Sequence, residues 1–235
     1  MSDQRDVGPP PAATIEGGHR AALAGVAFAV LFVVGFALLD QVPKADATDT
    51  DLDEFYAGSG SEVLVVAAFY VVPFAGIAFL WFLGALRHRV QNLAGAEDTL
   101  LATVQLLSGV LFVAMTFMSA AAGAATVAAI EFAGDSVPPA TETRQMLAFA
   151  QTATMVFGLR TAAVFVAAGT TRAHRAGLFP RWFTLASYAL TLVLLLATTF
   201  FRPVVVLFPA WVAIVSILVL RRLPVGPARH ASGAA

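Results

Sequence analysis

Residues 21–39 run for 19 positions without one polar side chain, close to the ~20 that a helix needs to cross the hydrocarbon core of a bilayer. Five further stretches follow: 63–86, 100–130, 146–171 (interrupted by Arg160), 182–201 and 204–220. In hydrocarbon every backbone N–H and C=O must find a partner within the protein. Long apolar runs that do not alternate at a period of two are therefore helices and not barrel strands. At 31 residues, the run 100–130 exceeds one span and must tilt, break or project. Only Arg202–Pro203 separates the last two runs, which predicts a tight antiparallel hairpin. The expected fold is all-α: a polytopic transmembrane bundle of six helices over 21–220, between a Pro/Gly-rich tail (1–20) and a short tail (221–235).

Composition agrees. The chain is 59% hydrophobic and 12% charged, half the charged share of a soluble domain (roughly 25%), too little to cover a water-facing surface. A net charge of −1 offers nothing to nucleic acid. The absence of cysteine excludes disulfides, thiolate metal sites, iron–sulfur clusters and covalent haem.

Orientation follows from the basic residues. Ten of the 14 Lys and Arg (Arg5, Arg20, Arg87, Arg89, Arg172, Arg175, Arg181, Arg221, Arg222, Arg229) fall on the side shared by both termini. Lys44, Arg144 and Arg202 fall on the other, with Arg160 between. Both termini are expected in the cytoplasm, and the location is the plasma (inner) membrane. A competing reading takes Arg20, the first apolar run and Ala45–Asp46–Ala47 as a signal peptide. That run is longer than an ordinary signal core, and five more spans follow it.

Arg160 is the residue that stands out. An arginine near mid-bilayer costs roughly 2.5–3.5 kcal/mol on insertion scales, so it is expected to face the bundle interior. Gln105, Ser108, Tyr188 and Thr191 are its expected neighbours. Two readings stay open: a contact to an anion, lipid headgroup or polar substrate, or a structural tie in which the guanidinium snorkels to neighbouring carbonyls. Asp40, Glu62, Glu97, Asp98 and Glu131 sit at span ends, and His19, His88, His174 and His230 in the segments expected in the cytoplasm. Proton-coupled transport and haem ligation, which call on such groups inside the membrane, are disfavoured. No hydrolase elbow, zincin or P-loop motif is present, and Ser59, in a glycine-flanked loop, has no histidine beside it. No catalytic residue, metal or cofactor is expected. The acidic stretch 46–54 starts with calcium-loop spacing at Asp49, Asp51 and Asp53 but has Glu54 and Gly60 where Gly and Glu are required; it reads as a solvated loop.

Pro73 and Pro209 predict helix kinks. Ala21, Gly25 and Ala29 form a small-residue seam, and Ser119–Ala125 a second, suited to close helix contact within or between chains. Trp81, Trp182 and Trp211 read as interface anchors or bundle fill. The matching Gly84-x-x-Arg87 and Gly169-x-x-Arg172 are too few positions to be a repeat.

Two sets of segments carry a resemblance. One is 73–87 (PFAGIAFLWFLGALR) with Glu97–Asp98 and 108–115 (SGVLFVAM). The other is 159–165 (LRTAAVF) with 178–182 (LFPRW) and 208–212 (FPAWV). Together they resemble a family of hypothetical six-helix multi-pass membrane proteins of bacteria, largely actinobacteria, with no assigned activity. The resemblance spans the second to the sixth run and implies that Arg160 is a family feature; the Pro-rich tail and acidic loop lie outside it. The expected role is non-catalytic: a bundle binding membrane lipid, a small molecule, another membrane protein or a second copy of itself. The alternative is a transporter or channel subunit with Arg160 lining an anion path.

Overall fold

The computed structural model of the protein describes residues 13–44, 46–58, 60–93, 98–134, 137–196 and 203–221. Among these there are eight helices and no strand. They are α1 (Ala13–Leu39), α2 (Asp49–Ala57), α3 (60–93), α4 (Thr99–Gly123), α5 (Ala125–Ala133), α6 (Ala140–Arg175), α7 (Arg181–Leu196) and α8 (Val204–Arg221). Four are long and apolar enough to cross a membrane: α1 over Ala22–Leu39, α3 over Gly60–Gln91, α4, and α6. The apolar helices α7 and α8 are shorter; the run that forms α7 continues into 197–202, outside the described residues.

The 31-residue apolar run resolves its excess length by breaking. Its first part is α4. At Ala124 the chain leaves helical geometry, and the N–H of Ala124 closes back on the carbonyls of Ala120 and Ala122. The remainder forms the separate α5, which ends at Gly134 in the left-handed conformation, φ 69°. A glycine fits there because it has no Cβ to clash.

Two helices contain a π turn. In α3 it spans Ala67–Val71, and the Val72 N–H donates to the Ala67 carbonyl. Pro73 follows at once. Its ring would strike the Phe69 carbonyl in a regular helix and it has no N–H to give it, so the preceding turn widens. The expected disturbance at Pro73 therefore takes the form of a π turn. Pro209 lies inside α8, which is helical from Val204 to Arg221. The second π turn, Ala153–Gly158 in α6, has no proline.

Phenylalanine fills the centre. Phe28 of α1, Phe79 of α3, Phe112 of α4 and Phe208 of α8 meet with ring centroids 4.6–6.2 Å apart, and Phe165 of α6 joins through Phe79 and Phe208. Between helices in lipid there is little hydrophobic gain, since the tails are equally apolar, and close packing carries the association. Tilted and edge-on rings add about 0.5–1.5 kcal/mol per pair. The first small-residue seam serves this packing. A Cβ on Gly25 would stand 2.0 Å from Ser216 Oγ of α8 and 2.6 Å from the Phe82 ring of α3. Trp81 and Trp182 point outward, 71% and 65% exposed, while Trp211 is 3% exposed and fills the interior.

Two sequence expectations are corrected. The last two helices are not a tightly packed hairpin: α7 lies chiefly on α6 and α8 chiefly on α1, because the Phe208, Val212 and Val215 face of α8 is drawn into the phenylalanine core. The acidic segment is not a solvated loop but the helix α2. Thr48 caps it: its Oγ1 accepts from the Asp51 N–H at 3.2 Å, while Asp51 Oδ2 accepts from the Thr48 N–H at 3.0 Å. Leu52 and Tyr56, one turn apart, are buried against Leu64, Val127 and Leu147. Among the described residues no three His, Cys, Asp or Glu side chains gather as metal ligands.

Ion pairs mark the two ends of the bundle. At one, Arg175 of α6 meets Asp98 at 2.8 Å. At the other, Arg144 pairs with Asp49 and donates through Nε to the Ala47 carbonyl at 3.1 Å, tying the start of α2 to α6.

Candidate functional site

Two polar regions lie inside the bundle, at opposite ends. The first is built by the antiparallel pair α4 and α6. Gly109 lies against Phe165, and a Cβ on Gly169 would stand 2.7 Å from Gln105 Nε2. The glycine leaves room for the amide. One turn further on, Arg172 is only 4% exposed, and its Nη1 donates to Gln105 Oε1. Gln105 is itself 2% exposed. A buried guanidinium is tolerated where acceptors meet it, so Gln105 acts as the polar joint of the two helices. Ser108 does not join it: its hydroxyl donates to the carbonyls of Val104, at 2.7 Å, and Gln105. Nearby, Trp211 Nε1 donates to Ser187 Oγ at 2.8 Å, and His174 Nδ1 meets Thr184 Oγ1 at 3.1 Å.

Asp98 sits outside the span at the N-cap of α4. The Leu101 N–H it accepts, and then Arg175, hold its carboxyl below the ordinary carboxylate range. These are structural bonds, each closing one helix end or one helix pair.

Arg160 stands elsewhere, and the four-residue cluster expected around it does not form. Each step toward the C-terminus of α4 is met by one step back along α6, so Arg160 comes level with Ala114, not with Gln105. That is nine residues, or roughly 14 Å of helix. Arg160 is half-buried, and its Nη1 donates to the Val156 carbonyl at 2.8 Å. Val156 belongs to the π turn, so the guanidinium snorkels along its own helix onto the widened turn. Tyr188 is exposed, and its hydroxyl meets Thr171 Oγ1 at 2.8 Å. The buried arginine that the sequence did not single out is Arg172. Its signal was there: Phe165, Gly169 and Arg172 follow one another at four and three residues, on one helix face.

The second region is a cleft at the acidic end, between the C-terminal end of α1, the C-terminal part of α4, and α6. A cavity of about 120 Å³ is lined by Phe36 and Leu39 of α1, Ser119 of α4, and Gln151, Thr154 and Met155 of α6. The segment Asp40–Lys44 and Leu64 complete its rim. A second cavity of about 60 Å³ shares Phe36, Leu39, Ser119 and Thr154 with it and ends on Phe32, Val72 and Val205. The two adjoin at these shared residues, and the composite cleft, termed the channel below, lies beside the π turn of α6, an element often found at functional sites.

The second small-residue seam builds the wall of this cleft. Ser119 Oγ donates to the Ala150 carbonyl at 2.7 Å, and a Cβ on Gly123 would rest on Ala150 at 3.7 Å. Thr103, Thr116, Thr152, Thr171, Thr184 and Thr191 each donate to the carbonyl one turn back. Thr154 does not. Among the described residues neither the Thr154 hydroxyl nor the Gln151 amide makes a hydrogen bond, and both line the cleft. No histidine lines it. Above it the Tyr56 hydroxyl is buried beside Thr126 with no partner in hydrogen-bonding geometry, and burial pushes its pKa above the ordinary phenol range. Ser59 and Glu97 lie outside the described residues, and Gly84 faces open space where Gly169 is packed, so the two Gly-x-x-Arg segments are not structural equivalents.

No family model, curated protein or solved structure matches this chain significantly.

Proposed function

We propose that this protein crosses the plasma membrane six times with both termini in the cytoplasm, and that it binds a lipid or small amphiphilic molecule without transforming it. One observation carries the reading: the cleft between α1, α4 and α6, mainly apolar, with Gln151 and Thr154, whose side chains make no hydrogen bond among the described residues, in its lining. A concave, mainly apolar site with a few placed polar groups is the usual form of a small-molecule pocket. The Ser119 hydroxyl in the lining is already given to the Ala150 carbonyl, which favours binding over catalysis. Both small-residue seams are spent inside the chain, on Ser216 and Phe82 and on Ala150, which takes away the sequence argument for a partner helix. The turn of Arg160 Nη1 to its own helix favours the structural tie over the anion-path alternative.

Native mass spectrometry of the protein released from its membrane tests this reading. Wild type is expected to carry a bound adduct, and Thr154→Trp, which fills the channel where its two cavities meet, is expected to lose it while staying folded. Equal adduct occupancy in both proteins would overturn the proposal.

A further inference from the structure

We infer that the channel is selective for a single-chain amphiphile with an uncharged, hydrogen-bonding head, of the monoacylglycerol or long-chain alcohol kind. The inference rests on the binding reading above and names the ligand class for the same site.

The channel has a polar end and a dry end. From Leu39 to Phe32 it follows α1 for seven residues, about 10 Å of helix. Its far end is closed by Phe32, Val72, Ala75 and Val205. Thr116 is the polar residue there, and its hydroxyl is already given to the Phe112 carbonyl at 2.9 Å. The far cavity holds about 60 Å³, well below the ~150 Å³ of an engineered apolar cavity that stays dry and takes up benzene. This narrow apolar end suits an alkyl chain and nothing bulkier.

Nearer the mouth, Gln151 and Thr154 lie three residues apart on one face of α6, opposite Ser119 of α4. The amide and the hydroxyl each offer a donor and an acceptor without a protein partner. None of the three is charged, so an ionised head at their level would be desolvated without a counter-charge. At the mouth Asp40 and Lys44 present opposite charges, so an ionised head there would be drawn by one and repelled by the other. A hydroxyl or ester head meets Gln151, Thr154 and Ser119 without that conflict.

The test uses the full chain in phosphatidylcholine nanodiscs, with empty nanodiscs defining partition into lipid. Saturable binding is measured for monodecanoylglycerol, 1-decanol, decanoate and decane. The first two are expected to saturate, and decanoate to bind at least about tenfold more weakly for want of a counter-charge. Thr154→Val and Gln151→Leu are each expected to weaken monodecanoylglycerol about fivefold, the value of one net hydrogen bond, and to leave decane unchanged. Thr154→Ser, which keeps the hydroxyl, is expected to bind like wild type and guards against an effect of folding. Decanoate or decane binding as well as monodecanoylglycerol, or polar-to-apolar variants without effect, would overturn the ligand class while leaving the binding site standing. Failure of every probe to saturate would overturn both. Comparison of monodecanoylglycerol with 1-decanol tells an ester-linked from a simple hydroxyl head.

Discussion

Gly25→Ala adds one methyl group where, among the described glycines, a Cβ would come nearest to another side chain. The new Cβ would lie 2.0 Å from Ser216 Oγ and 2.6 Å from Phe82 Cδ2, against ordinary carbon contacts of about 3.5–4.0 Å. Ser216 cannot swing away freely. It is fully buried, and its hydroxyl donates to the Val212 carbonyl at 2.8 Å, so rotation exchanges a clash for a lost bond. Either α1 moves off α8 or Phe82 leaves its place in the core. Overpacking of this kind costs about 1–3 kcal/mol, and the depth of this overlap puts the expected loss at the upper end. Ser216→Ala removes the closer obstacle along with its donor, and alone should cost less than about 1 kcal/mol. In the double variant the Phe82 overlap persists, so rescue is partial, with an expected coupling of about 1 kcal/mol. Reversible unfolding in mixed micelles, followed by far-ultraviolet circular dichroism for wild type, both singles and the double, gives all four corners. Unchanged stability in Gly25→Ala, or strict additivity with Ser216→Ala, would refute the packing of α1 on α8.

Gln105→Leu should cost about 2 kcal/mol, since a hydrogen bond to a charged group is worth about 1.5–3 kcal/mol and Arg172 keeps its buried place without this acceptor; unfolding at the wild-type midpoint would contradict it. Asp98→Asn keeps the N-cap acceptor but not the charge. Because the folded carboxyl is held below its ordinary value, its contribution is complete above the unfolded pKa near 4 and fades as pH falls through the folded one. The melting temperatures of wild type and variant should therefore converge below about pH 4, and parallel curves would exclude the Asp98 contribution. Thr48→Ala removes the cap of α2 and should cost about 1 kcal/mol locally, read as faster proteolysis between Thr48 and Ala57 with the core unaffected.

Much of this architecture can be read from hydropathy. The four long spans, the apolar character of α7 and α8, and a break or projection in the 100–130 run all follow from length against bilayer thickness. What cannot be read is register. Depth measured from span ends placed Arg160 beside Gln105, but the end of α6 is not the end of its apolar run. The helix continues through Arg172 to Arg175, and it is Arg172, twelve residues beyond Arg160 on the same regular helix, that meets Gln105.

The α2 helix was legible in part. Thr48-x-x-Asp51 is capping-box spacing, and Leu52 and Tyr56 are a buried pair one turn apart, but five acids in the stretch outweighed both signals. The cleft had none. It is made by the C-terminal parts of α1 and α4 meeting α6 at a π turn that no proline announces.

The absence of cysteine makes any introduced thiol unique, so the membrane arrangement is directly open to measurement. Asp53→Cys on α2 and Thr99→Cys at the opposite end, both exposed positions, should face different compartments. A membrane-impermeant maleimide applied to spheroplasts is predicted to label Asp53→Cys, and Thr99→Cys only after lysis. Labelling of Thr99→Cys in sealed spheroplasts, or of both residues alike, would contradict a bundle that spans the membrane with its arginine-rich end in the cytoplasm.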